Sequence, residues 1–151
     1  MKEIPNYKKI EENLKPGKFS LEGFLGNDNR SLFDIISDDK ALILQLNIDI
    51  KEIITRLKYF RDKGFDFDGT FIIVDEKWKV SVISHRGKTK CPFEDKGFFA
   101  KTEINLIYLP KNIEINYSDL SIHLIEEHGF FGGKGSLYRL EPEILKIALE
   151  L

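Results

Sequence analysis

The sequence predicts an α+β protein: N-terminal helices that include a helical hairpin, a small antiparallel sheet, then C-terminal helices. Three observations carry this. Between Ser31 and Gly64, apolar positions recur at helical spacing behind residues that cap helices. After Gly64 the pattern changes to alternation, with Trp78, Val80, Val82 and Ser84 on one side of a strand and Lys79, Ser81 and Ile83 on the other. From Ser118 onward the helix signals return. Runs of helices followed by runs of strands, rather than strict alternation, read as α+β.

Residues 1–17 read as a short helix or arm closed by Pro16-Gly17. Lys18 to Leu25 fits either a strand or a packed loop, and Gly26 to Asn29 is a turn cluster. Ser31 caps a helix that buries Leu32, Phe33, Ile35 and Ile36. Asp38-Asp39 can break that helix or begin another turn of it. Ala41 to Leu46 is apolar at nearly every position, which suits a buried strand or a buried helix; Ala, Leu and Gln favour helix. Asn47 to Asp49 forms a corner, with Asp49 as N-cap of a helix over 50–63 that buries Ile50, Ile53, Ile54, Leu57 and Phe60. Gly64 is placed to end it in the left-handed conformation.

Thr70 to Val74 and Trp78 to Ser84 form a hairpin, and His85 to Pro92 reads as a basic loop. Lys101 to Leu109 is a third strand stopped by Pro110, and Ile113 to Tyr117 a short fourth. Ser118 caps a helix from Asp119 to His128, with Gly129 as its stop. Ser136 to Leu140 reads as extended, and Pro142 opens a last helix to about Leu149.

A chain of 151 residues suits one domain, residues 1–151. It is long enough to bury roughly two-thirds of its unfolded surface, so it needs neither disulfide nor metal to fold. The net charge of −2 creates no general attraction to nucleic acid or anionic lipid. Locally, seven basic residues between Lys77 and Lys101 face only Glu94 and Asp95, an excess of +5. That segment is a candidate anion-facing patch; its plain alternative is a solvated hairpin surface. The single Cys91 excludes an internal disulfide and fits a reducing compartment. The N-terminus lacks the apolar core of a signal peptide and no apolar run approaches a membrane span, so a cytoplasmic protein is expected. Abundant Lys, Ile and Asn point to an AT-rich, bacterial genome.

Two constellations carry chemistry. The first is a helical hairpin followed by a β-hairpin. It resembles the winged helix-turn-helix of bacterial regulators, in which the second helix reads the major groove and the wing touches the backbone. The resemblance places the 50–63 helix on DNA through Lys51, Arg56 and Lys58, with the 70–84 hairpin as wing. The corner carries Asn47 where those regulators place glycine.

The second is Ser118 to Leu140. His123 and Glu127 lie four apart on one helical face, a possible acid–base pair. His128 falls about 140° round the wheel, so the two histidines are not expected to share one metal from a regular helix. His85 or Cys91 would have to supply a third group. No metal site and no cofactor are expected. The Gly-rich turn Gly129 to Ser136 can present N–H groups to an anion, but lacks the GxxxxGK[ST] spacing of a phosphate loop. Lys134, Ser136 and Arg139 are the candidate ligand-binding residues. Arg139 suits a carboxylate or phosphate, or equally an intramolecular pair with Glu141 or a helical acid.

The segments Gly23 to Ile36, Arg86 to Phe93 and Ser118 to Pro142 resemble a group of small, uncharacterised bacterial cytosolic proteins that share an HGFFxGKGSxYRLEP-like stretch. This resemblance implies no activity and transfers no catalytic residue. The leading expectation is a non-enzymatic binding or interaction protein for a protein partner or a small anionic ligand, with no membrane role. The alternatives are a winged-helix DNA-binding protein and a small enzyme acting on an anionic substrate through His123/Glu127 and Lys134/Arg139.

Overall fold

The computed structural model describes residues 6–151. Helix α1 spans Tyr7–Leu14, opened by the Asn6 side chain, which accepts from the Lys9 N–H. Residues 1–5 of the expected arm lie outside the described residues. The 18–25 segment is a packed loop: Gly17 N–H bonds to the Ser20 carbonyl and Phe24 N–H to the Leu14 carbonyl.

Helix α2 runs unbroken over Leu32–Gln45. Asp38-Asp39 does not interrupt it, because Asp39 turns inward to a cation on another element. The corner follows with Asn47 at φ +56, and Asp49 accepts from the Lys51 N–H to start α3, Ile50–Gly64. Gly64 does not end the helix in the left-handed region. Its φ is −88, and the helix tightens into a 3-10 turn over Phe65–Phe67 before Asp68 reverses the chain at φ +46. Gly64 is required for another reason: a Cβ there would meet Val82 Cγ2 at 2.8 Å and Val80 Cγ1 at 2.9 Å. The glycine lets α3 lie directly on the sheet.

The sheet is a four-stranded antiparallel meander, β1 (Ile72–Val74), β2 (Trp78–Thr89), β3 (Phe99–Tyr108) and β4 (Ile113–Tyr117), in that spatial order. The expected basic loop from His85 is instead strand as far as Thr89. A register shift between His85 and Lys88 absorbs two extra residues, Arg86 and Gly87, with Gly87 at φ +88. Beyond Ile83 the sheet narrows to a two-stranded ribbon, since β1 pairs only with Trp78 to Val80 and β4 only with Ile104 to Tyr108.

Helix α4, Asp119–His128, forms as the sequence predicts. Ser118 and Ser121 make a reciprocal capping box, and Gly129 closes the helix at φ +63. The 136–140 segment contains a turn at Leu137-Tyr138 rather than extended chain. Helix α5, Pro142–Ala148, closes the fold.

Two apolar clusters adjoin. The larger holds Leu57, Phe60, Trp78, Leu106 and Leu145 between the sheet, α3 and α5. The smaller holds Leu14, Leu32, Ile35, Cys91, Phe93 and Phe130. Helix α4 serves both, with Ile122 and Ile125 in one and Leu120 and Leu124 in the other. Its two histidines lie against Phe93 and Phe99 of the smaller cluster, where the β2–β3 loop crosses. No described helix is long and apolar enough to cross a membrane.

Candidate metal centre

The β2–β3 loop is the first half of the site. Cys91, Pro92 and Phe93 are buried in the smaller core, which fixes the loop against α4. A turn joins Glu94 N–H to the Cys91 carbonyl at 2.9 Å, and Glu94 takes φ +69. Helix α1 holds this turn from outside: Asn13 donates to the Pro92 carbonyl at 2.9 Å and to the Glu94 carboxylate at 3.0 Å. The chain therefore leaves Glu94 with the Asp95 carboxylate aimed at α4.

Helix α4 supplies the second half. His123 packs on Phe99, with ring centroids 4.2 Å apart, and His128 stacks on Phe93 at 4.1 Å and 11°. The two imidazoles stand edge to face, 5.5 Å apart. Both Nε2 atoms meet a single oxygen, Asp95 Oδ2, at 2.8 Å from His123 and 2.6 Å from His128. Cys91 Sγ lies 3.6 Å from His128 Nε2 and 3.8 Å from Asp95 Oδ2. The four donor atoms all lie within 4.8 Å of one another.

This corrects the expectation that the two histidines diverge. A helical wheel fixes the direction of each Cα–Cβ bond, whereas the donor nitrogen sits at the far end of the ring. His128 is the last helical residue, and the two flanking phenylalanines turn both rings toward the loop. Of the two residues proposed to complete a set, Cys91 is present. His85 is elsewhere, paired with Glu103 at 3.0 Å on the ribbon.

Burial opposes the charged forms of Cys91, Asp95 and His128. It pushes the Cys91 thiol up to about 11, and the Asp95 charge beside it works in the same direction. Burial also lowers His128, outweighing the support from Asp95. Burial would raise Asp95, but hydrogen bonds and charge from His128 and His123 hold it below the usual carboxylate range.

The geometry decides among chemistries. A Cys–His–Asp catalytic chain needs the two imidazole nitrogens to face different partners. Here the same Nε2 of His128 faces both the thiol and the carboxylate, so Asp95 does not orient the imidazole toward the thiol from its far side, as such a chain requires. A thiolate, a carboxylate oxygen and two imidazoles are, by contrast, a donor set for a tetrahedral ion such as Zn²⁺. With bonds of about 2.0–2.3 Å, tetrahedral donor–donor edges are about 3.3–3.6 Å. Cys91 Sγ to His128 Nε2, at 3.6 Å, already fits, and Sγ to Asp95 Oδ2, at 3.8 Å, must close slightly. The two imidazole–carboxylate contacts, at 2.8 and 2.6 Å, are hydrogen bonds and must open by about 0.5–0.7 Å or more as an ion replaces their protons.

The other candidate residues do not converge on this cluster. Glu127 is exposed, and the carboxylate partner of His123 is Asp95 instead. Arg139 makes no clamp for an outside anion. Its guanidinium is held by Asp39 at 2.5 and 2.9 Å, by Glu141 at 2.8 Å and by the Gly132 carbonyl at 2.9 Å. Burial works against its charge, yet the bonds to Asp39 and Glu141 keep it protonated above its ordinary value.

The Gly-rich turn also spends its N–H groups internally. Gly133 donates to the Phe24 carbonyl at 2.8 Å, Lys134 to Asp28 Oδ2 at 3.0 Å and Ser136 to the Gly133 carbonyl at 3.0 Å. Gly133 lies so close that a Cβ would fall 2.6 Å from Leu25 Cα. Ser136 Oγ accepts from Tyr138 N–H, and the Lys134 side chain is exposed. On α3, Lys51 is exposed, but Lys58 pairs with Glu126 at 3.5 Å. Arg56 lies over Phe60 and Trp78 and donates to the Leu149 carbonyl at 3.2 Å.

Compared with family models, curated proteins and solved structures, the chain matches none.

Proposed function

We propose that this chain is a non-enzymatic, metal-binding interaction protein whose Zn²⁺-class ion fastens the β2–β3 loop to α4. One observation carries the reading: Cys91, Asp95, His123 and His128, drawn from two distant segments, bring four donor atoms within 4.8 Å. An ion there inverts the local electrostatics, because it deprotonates the thiol and binds the imidazoles in their neutral form, which burial already favours at His128. Four protein ligands fill a tetrahedral ion and leave no open position for substrate, which is the pattern of a structural site. A reducing, cytoplasmic setting keeps the Cys91 thiol available to it.

The two alternatives have weaker support. An enzyme acting through His123/Glu127 with Lys134/Arg139 needs groups that point to different places, and Arg139 is consumed by Asp39. A DNA-reading α3 would have to release Arg56 from Trp78 and Lys58 from Glu126.

The test is elemental analysis of untagged protein purified without chelator, followed by Zn²⁺ calorimetry. One ion per chain is expected. Cys91→Ser and His123→Ala should each weaken binding at least about tenfold, since each removes a direct ligand. Uptake well below one equivalent, or affinity indifferent to both substitutions, contradicts the proposal.

A further inference from the structure

We infer that the free edge of β3, beyond the end of β4, is a docking site for an acidic peptide segment that adds to the sheet as an extra strand. This rests on different residues from the metal reading. Strand β3 pairs with β4 only from Ile104 to Tyr108, yet it pairs with β2 from Phe99 onward. Residues 99–103 of β3 therefore have a partner strand on one side only. In an antiparallel strand, alternate residues turn their N–H and C=O groups away from the first partner. No main-chain bond outside the sheet engages residues 99–103 among the described residues, and the start of α4 flanks them, with Asp119 N–H on Thr102 Oγ1 at 3.0 Å and His123 on Phe99.

A groove of about 590 Å³ reaches this edge and continues over the sheet face onto β2, where Ser81, Ile83 and His85 line it. Ala100 to Asn105 form one side of it, and Phe19, Phe24, Leu120 and Tyr138 supply apolar lining. Leu21 and Leu137, 88% and 66% exposed, stand among the same lining residues. A strand edge beside apolar pockets is the geometry by which sheets take up extended peptides: main-chain bonds hold the peptide, and alternate side chains enter the groove. A nucleic acid strand has no peptide backbone to complement that edge.

Charge selects the kind of peptide. Arg86, Lys88, Lys90, Lys96 and Lys101 are all exposed, and among the described residues none makes an ion pair. All five lie on the ribbon or its loop, and Lys101 itself lines the groove. The acidic groups nearest in sequence are already engaged: Glu94 with Lys9, Asp95 with the histidines, Glu103 with His85. The chain as a whole carries −2, so this excess is local. Acidic side chains on the incoming strand meet cations that make no ion pair among the described residues, Lys90 alone of them lying over an aromatic ring, Phe98, at 5.5 Å.

The experiment is selection of short random peptides on display against the full chain, followed by amide hydrogen exchange with a selected peptide bound. Enriched peptides should be net negative with alternating apolar positions, and should slow exchange within residues 99–103. N-methylation of alternate peptide amides should weaken binding at least about tenfold, because it removes the main-chain bonds. Lys101→Glu should weaken acidic peptides by about tenfold and favour basic ones. Leu137→Asp lies on an exposed turn, so it should weaken binding while leaving the unfolding transition unchanged. The inference is overturned if no acidic peptide is enriched, if N-methylation is without effect, or if protection falls outside the groove. It is overturned equally if a single-stranded oligonucleotide takes the cations while peptides do not, or if sedimentation shows that a second copy of the chain already fills the edge.

Discussion

Arg139→Ala should destabilise the protein severely, although Arg139 lies on a turn that reads as a ligand site. The guanidinium bonds Asp39 on α2, the Gly132 carbonyl in the Gly-rich turn and Glu141 ahead of α5, so it ties three segments together. The side chains of Arg139 and Asp39 are only 6% and 4% exposed. Truncating the arginine strands a carboxylate away from water. Breaking a buried pair from one side costs about 3–5 kcal/mol. Domains of this size are stable by about 5–15 kcal/mol, so a large fraction is lost. The assay is urea unfolding, with a melting temperature lowered by on the order of 10 °C as the parallel readout. Removing both charges with Arg139→Met and Asp39→Leu should recover much of the loss, because no buried ion remains. Glu141→Gln, at a half-exposed carboxylate, should cost about 1 kcal/mol or less. If Arg139→Ala stays within about 1 kcal/mol of the parent, or the double variant is no better than the single, the buried-pair argument fails.

Three further outcomes follow from the same physics. Gly64→Ala should cost about 1–3 kcal/mol by denaturant titration, since the added methyl meets Val82 and Val80 below 3.0 Å; a neutral substitution would show that α3 can lift off the sheet. Asp28 is held well below its ordinary 3.8, first by hydrogen bonding from Arg30, against burial, and then by the Lys134 N–H. Its folded pKa is lower than its unfolded one, so its contribution is present above pH 3.8 and is lost as pH falls through the folded value. The stability gap between the parent and Asp28→Asn should therefore narrow in acid, and a gap that stays constant or widens refutes this. Zn²⁺ at a hundredfold excess over its dissociation constant should raise unfolding stability by about 2.7 kcal/mol, and at the same concentration Cys91→Ser should keep about 1.4 kcal/mol of this or less.

Local chemistry made much of the fold legible. The Ser118 cap, the Gly129 stop, the Pro142 start and the Ile113 to Tyr117 strand all stand where their residues placed them, because each depends on neighbours in sequence. The misreadings share a different cause. Gly87 and its basic neighbours read as loop, but pairing with β3 carries the strand past them with a bulge. Gly64 read as a cap, but contact with β2 fixed it. The continuity of α2 past Asp38-Asp39 depends on Arg139, a hundred residues away.

The site was half legible for the same reason. The sequence pointed to His123 and left the third group open between His85 and Cys91, of which only Cys91 is at the site. It did not show that Asp95 takes the role assigned to Glu127, nor that His128 joins. Cys91 and Asp95 lie 37 and 33 residues from His128, separated by a whole strand pair, and no local spacing encodes that meeting. One available signal was the placement of Phe93 and Phe99 on either side of Asp95, which position the two imidazoles.

The central claim is that these four side chains hold one ion, and Co²⁺ titration followed by absorption tests it most directly. Cobalt reports both a tetrahedral field, through intense visible bands, and a sulfur ligand, through a near-ultraviolet thiolate band. The account predicts both, saturating at one equivalent. Cys91→Ser should abolish the thiolate band, His128→Ala should weaken and alter the visible ones, and added Zn²⁺ should displace the cobalt. A chain that shows neither band at stoichiometric cobalt, or keeps its thiolate band without Cys91, contradicts it.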